Sequence, residues 1–152
     1  MNARGFSMAE LLVTVAVIGI LAALGYPYVA SYLQTAQTRA GAQQLATILN
    51  GGRQLAITRN TNVCVALSSN KAVYTTGVNN SCGGGTTFVG VNTASDGTMA
   101  LDNRIQISAS TASVVFSSLG AAVQAGTYTV QNPNTGATMS VVVSTAGRVT
   151  IQ

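Results

Sequence analysis

Between Arg4 and Arg39 the chain carries one charged residue, Glu10, and from Leu11 to Leu24 it reads LLVTVAVIGILAAL without interruption. No other feature limits the fold as strongly. Extended from Phe6 to Tyr26, the run reaches the ~20 residues that a helix needs to cross a bilayer. Arg4 precedes it and the next cation is Arg39. The positive-inside bias therefore leaves Met1 in the cytoplasm and exports the chain beyond Tyr26. Tyr26, Tyr28 and Tyr32 stand where interfacial aromatic residues gather. Two plainer readings compete. A secretory signal would end at small residues such as Ala23-Leu24-Gly25, and a buried core helix would normally keep one polar face. Neither accounts for Glu10, because a carboxylate costs on the order of 2.5–3.5 kcal/mol at a bilayer centre and by default marks a functional partner.

The composition removes most chemistry from consideration. Hydrophobic residues make up 47% of the chain and charged ones 7%, against about 25% charged in ordinary soluble domains. There is no His, and the acids are Glu10, Asp96 and Asp102. No serine has a histidine to activate it, and Lys71 lies among polar turn residues, so an enzyme is not expected. Asp96 and Asp102 could be read as a glycosidase pair or a calcium loop, but Asp96-Gly97 and Asp102-Asn103 are ordinary turn sequences. Cys64 and Cys82 without His do not make a zinc site. Gly83-Gly84-Gly85 lacks the Gly-Lys-Ser/Thr of a phosphate cradle. Neither a metal nor a cofactor is implied. The net charge of +4 comes from Arg4, Arg39, Arg53, Arg59, Lys71, Arg104 and Arg148. These are scattered in sequence, so the basicity reflects missing acids more than a built patch.

The N-terminal residues Arg4-Gly5-Phe6-Ser7-Met8-Ala9-Glu10-Leu11-Leu12 closely resemble the signal of type IV prepilins and pseudopilins. The resemblance implies that a prepilin peptidase cuts after Gly5 and that the amine of Phe6 is methylated. It implies that Glu10 pairs with the N-terminal amine of a neighbouring pilin or pseudopilin subunit during assembly. It also implies a single-pass protein of the bacterial inner membrane with its head outside the cytoplasm. The physics agrees: a charge pair buried in apolar surroundings holds only when both partners are present, which makes the contact a device for register. Gly19 and Ala23 lie four apart, a spacing that lets membrane helices approach closely.

Beyond the membrane run the helix is expected to continue. Val29, Leu33, Ala36 and Ala40, then Ala42, Leu45, Leu49, Gly52 and Ala56, follow helical spacing to about Arg59-Asn60. Pro27 should bend it, and Gly51-Gly52 should weaken it. From Thr61 the texture changes to short Val, Ile and Thr runs between Gly, Asn and Ser clusters, the pattern of an antiparallel sheet. Candidate strands are Val63–Leu67, Ala72–Tyr74, Thr86–Val91, Ile105–Ile107, Val114–Phe116, Thr127–Gln131, Thr138–Val143 and Arg148–Ile151, with Asn132–Gly136 as a hairpin turn. The helix would cover one face of this sheet.

Ala46–Val65 and Val141–Ile151 resemble the helix-to-strand passage and the final strands of GspH/FimT-type pseudopilins. The fold implied is α+β, a pilin-like lollipop. Its parts are a leader (1–5), a membrane helix (6–26), an exported helix half (27–60) and a β-rich head (61–152). The function implied is that of a minor pilin or pseudopilin, a structural subunit of a type IV pilus or a type II secretion pseudopilus. Two cysteines in an exported head favour a Cys64–Cys82 disulfide over two buried thiols. In the DNA-uptake branch of the family a Gly-Arg-x-Arg motif contacts DNA. Here Gly147-Arg148-Val149-Thr150 keeps one arginine of the two. One phosphate contact falls well short of useful affinity, so nucleic acid stands only as the alternative partner.

Overall fold

The computed structural model describes residues 6–68, 70–101, 105–109 and 112–152. A helix, α1 (Met8–Arg59), precedes strands β1 (Val63–Ser68), β2 (Lys71–Thr76), β3 (Thr86–Thr87), β4 (Thr98–Ala100), β5 (Gln106–Ala109), β6 (Ser113–Phe116), β7 (Gly126–Gln131), β8 (Thr138–Val143) and β9 (Val149–Ile151). The chain forms two compact units, Met1–Gln34 and Thr35–Gln152, and α1 contributes to both.

In the first unit every residue from Phe6 to Val29 is exposed. Leu11, Leu12, Val15, Ile18, Leu21 and Leu24 are each more than half accessible. The run is apolar enough to cross a membrane, with a mean hydropathy of 2.3 over its best window. A helix this apolar, with no core of its own chain around it, requires lipid or another protein as its surroundings. Pro27 lies inside α1. It has no N–H to offer the carbonyl one turn back, yet the helix continues on both sides of it.

In the second unit α1 turns Thr38, Gly41, Ala42, Leu45, Ile48, Leu49, Gly52 and Ala56 inward. These recur every three or four residues, which places them on one helical face. Arg39, Gln43, Thr47, Gln54 and Thr58 lie outside that face. The small residues allow the sheets to come close. A Cβ on Gly41 would collide with Ile105, and one on Gly52 with Val65 and Tyr74. Gly51 and Gly52, which weaken a helix by roughly 1 kcal/mol each relative to Ala, thus make room for the Tyr74 ring. The Tyr74 hydroxyl donates to the Ile48 carbonyl at 2.5 Å. Burial pushes its pKa up to about 12, so it remains a donor throughout the ordinary pH range. The helix closes as a Schellman turn: Thr61 N–H donates to the Ala56 carbonyl at 3.2 Å, and Asn60 takes a φ of 48°. Arg59, in the last turn, sits over the Phe88 ring at 4.8 Å.

Two antiparallel sheets form where the sequence suggested one. The first has the order β3-β2-β1-β6, with β4 also paired to β2, and the second has the order β5-β7-β8-β9. Alternate residues point inward: Val63 and Val65 from β1, Val114 and Phe116 from β6, Tyr128 and Val130 from β7, Val141 and Val143 from β8. These join Leu45 and Leu49 of α1 in one core. The expected strand over Thr86–Val91 contracts to β3, because Gly90 N–H and carbonyl are both taken by the Thr93 hydroxyl at 2.9 Å, which makes a loop. Strand β4 was not anticipated from the sequence. Ile105 precedes β5 and packs against Gly41 instead of belonging to the strand. The hairpin turn after β7 is as expected. Asn132 Oδ1 accepts from Asn134 N–H at 3.0 Å, and the Asn132 carbonyl accepts from Gly136 N–H at 2.9 Å.

Candidate assembly site

Glu10 lies in the first turn of α1 and is not solitary there. Its Oε2 accepts from the Ser7 N–H at 3.2 Å, and Ser7 Oγ accepts from Ala9 N–H at 3.3 Å. The first helical bond runs from Leu11 N–H to the Ser7 carbonyl. Ser7-Met8-Ala9-Glu10 is therefore a capping box, in which serine and glutamate satisfy donors that a helix start leaves open. The negative charge also lies at the positive end of the helix dipole. The Ser-x-x-Glu spacing is readable in the sequence, and it gives Glu10 a partner within its own chain. Phe6, directly before this cap, is 81% exposed. Gly5 lies outside the described residues.

Cys64 and Cys82 are disulfide-bonded, with Cα atoms 5.3 Å apart and a sequence separation of 18. Cys64, Val78 and Val115 form a small apolar cluster separate from the main core. The bond ties β1 to the loop after β2, and beside it lies a shallow cleft lined by Asn80, Ser81, Cys82, Ser113, Val115, Val123 and Gln124. Its lining is amide, hydroxyl and apolar, without an acid or base to move a proton.

Asp96 Oδ1 accepts from the Thr98 N–H at 3.0 Å and from the Thr98 hydroxyl at 2.7 Å. These bonds hold its carboxyl below the usual range. With Gly97 at a φ of 79°, Asp96 is a turn residue. Asp102 lies outside the described residues. Among the described residues no group of three or more His, Cys, Asp or Glu could hold a metal.

Arg148 is exposed, in a turn where its N–H donates to Ser144 Oγ at 3.2 Å and its carbonyl accepts from Ser144 N–H at 2.9 Å. Its neighbour Gly147, at a φ of 76°, packs against the Gly120 carbonyl so closely that a Cβ would overlap it. Between these two glycines lies Arg53. Its Nε is buried without a hydrogen-bond partner, a state that costs about 1–3 kcal/mol. Sequence reasoning had no means of finding this arrangement, since its three residues lie far apart along the chain.

The sequence model of the type II transport protein GspH matches residues 41–147, most of the chain. The chain belongs to the GspH family of type II transport proteins. The prokaryotic N-terminal methylation motif matches residues 1–26. Solved structures with the same fold include the type IV minor pilin FimU of Pseudomonas aeruginosa, with a TM-score of 0.58 and 16% identity over 80% of this chain and 92% of that one. E. coli GspH gives 0.59 with 13% identity over 78% and 89%. The minor pseudopilin EpsH of the Vibrio cholerae type 2 secretion system gives 0.57 with 12% identity over 76% and 96%. No curated protein matches the sequence significantly. The GspH family and its fold are those of structural pilin and pseudopilin subunits, not of enzymes. They lend no support to the nucleic-acid alternative at Arg148.

Proposed function

We propose that this GspH-family chain is a minor pilin or pseudopilin subunit that leaves the membrane by packing its N-terminal helix among those of its neighbours. The observation that carries the reading is the exposure of every side chain from Phe6 to Val29 beside one acid at the helix start. Phe6–Tyr26 spans the inner membrane with Met1 in the cytoplasm, residues 27–60 extend the helix outside it, and residues 61–152 form the exported head. Prepilin peptidase removes residues 1–5, and the freed Phe6 amine is methylated. Glu10, already oriented by its capping box, then meets the cationic amine of an adjacent subunit. In the exported compartment the Cys64–Cys82 bond persists. The filament is a type II secretion pseudopilus or a type IV pilus.

The processing step gives the test. The intact mass of the protein extracted from membranes should correspond to a chain that begins at Phe6 and carries one added methyl group. Substitution of Gly5 by a bulky residue should leave the full-length mass. A mature chain starting near Tyr26 would mean an ordinary secretory signal and would contradict the reading.

A further inference from the structure

We propose that Cys82 is the sulfur through which the Cys64–Cys82 bond is made and broken. Exchange with a partner, a protein disulfide or glutathione disulfide, then runs through a mixed disulfide on Cys82 and not on Cys64. This goes beyond the filament reading and depends only on the fold of the head.

The two cysteines have different surroundings. Cys64 lies in β1, the strand between β2 and β6, with Thr75 opposite it on one side and Val115 on the other. It has no accessible surface and clusters with Val78 and Val115. Cys82 is partly exposed and lines the cleft. The segment that carries it is fixed at two points. Gly77 N–H donates to the Asn62 carbonyl at 3.0 Å, and Gly85 packs so closely on the Thr76 carbonyl that a Cβ would collide with it. Among the described residues no backbone hydrogen bond joins residues 79–84 to the sheet. Gly83 and Gly84 have open space where a side chain would lie. The disulfide and the buried Val78 therefore hold this stretch against the sheet.

Disulfide exchange is the attack of a thiolate on one sulfur of a disulfide, and access decides which sulfur is attacked. The way to Cys64 is closed by two flanking strands and two valines. The way to Cys82 is open from the cleft and from the glycine-rich side. When the bond forms, the Cys82 thiolate attacks the partner's disulfide, makes a mixed disulfide and expels one partner thiolate. The Cys64 thiolate then attacks Cys82 Sγ, and the Cys64–Cys82 bond forms as the bond to the partner breaks. The two cysteines lose two electrons and two protons, and the partner's disulfide becomes two thiols. The protons pass through solvent, since the cleft lining has no acid or base. In the reverse direction an incoming thiolate attacks Cys82 Sγ and Cys64 leaves.

The test uses the full chain in detergent, with glutathione as the probe. Oxidised wild-type protein is exposed briefly to reduced glutathione, quenched in acid and denatured, and its free thiols are alkylated. Trypsin cuts after Lys71 and so places Cys64 and Cys82 on separate peptides. Glutathione on the Cys82 peptide should exceed glutathione on the Cys64 peptide by about tenfold or more, because exchange follows access. An even split, or an excess on Cys64, would overturn the proposal. Two single variants read the same asymmetry without the bond. Cys82 in Cys64→Ala should react with glutathione disulfide about a hundredfold faster than Cys64 in Cys82→Ala, because the buried thiol must wait for local opening. Equal rates in variants that are folded by circular dichroism would overturn the proposal, as would an asymmetry that persists in denaturant. The wild-type measurement needs no variant and decides the matter if either variant is unfolded.

Discussion

Glu10→Gln should remove the chain from filaments while leaving membrane insertion and head stability unchanged. The structure makes this substitution unusually clean. Glutamine keeps an oxygen that can accept from the Ser7 N–H, so the capping box and the helix start survive. Membrane insertion should not suffer, because the change removes a charge from an apolar segment. What disappears is the negative partner proposed for a neighbour's Phe6 amine. An uncompensated charge in apolar surroundings costs about 3–5 kcal/mol, enough to lower incorporation by at least about two orders of magnitude. Immunodetection in sheared filaments and in membranes measures both quantities together. Equal incorporation of the Gln variant would show that the charge is dispensable and that Glu10 serves only to cap its own helix.

Replacing both cysteines by alanine should weaken the head without dismantling its sheets. The Cys64–Cys82 bond closes a loop with a sequence separation of 18. Chain-entropy reasoning gives such a bond about 3 kcal/mol. For a head of this size the melting temperature should fall by roughly 10–20 °C. The loss should be local at first, because Cys64, Val78 and Val115 belong to the small cluster outside the main core. Thermal unfolding of the full chain in detergent, with and without reductant, measures the effect. Reductant should bring the wild type close to the double variant and leave the variant unchanged. Wild-type protein whose cysteines both react with an alkylating agent in the native compartment would contradict the bond and the exported topology together.

Local features were legible in the sequence. The apolar run, the helical spacing through Ala56 and the turn at Asn132 each depend on neighbours within one or two turns of chain. The helix ends about where Arg59-Asn60 suggested, for the local reason that Asn60 tolerates a positive φ. The arrangement of strands was less legible because pairing is decided far along the chain. Whether β6 and β7 share a sheet depends on the turn at Ser117–Gly120, whose geometry no periodicity announces. Strand β4 has three residues and exists because Ala72 pairs with Met99. Gly52 reads in sequence as a weak point of the helix, because Val65 and Tyr74, which occupy the space where its side chain would be, come from distant strands. Of the candidate site, Glu10 was legible from its cost. Its local partner Ser7 was missed, and Arg53 could be found only once two distant turns had been placed beside it.

We propose that this chain is processed at Gly5-Phe6 and built into a filament. Mass spectrometry of filaments sheared from cells and separated from membranes tests it most directly. The expected result is a peptide that begins with N-methylated Phe6, recovered together with peptides of the head. Recovery of the chain solely in the detergent-extracted membrane fraction of cells that make filaments, beginning at Met1 or near Tyr26, would contradict it.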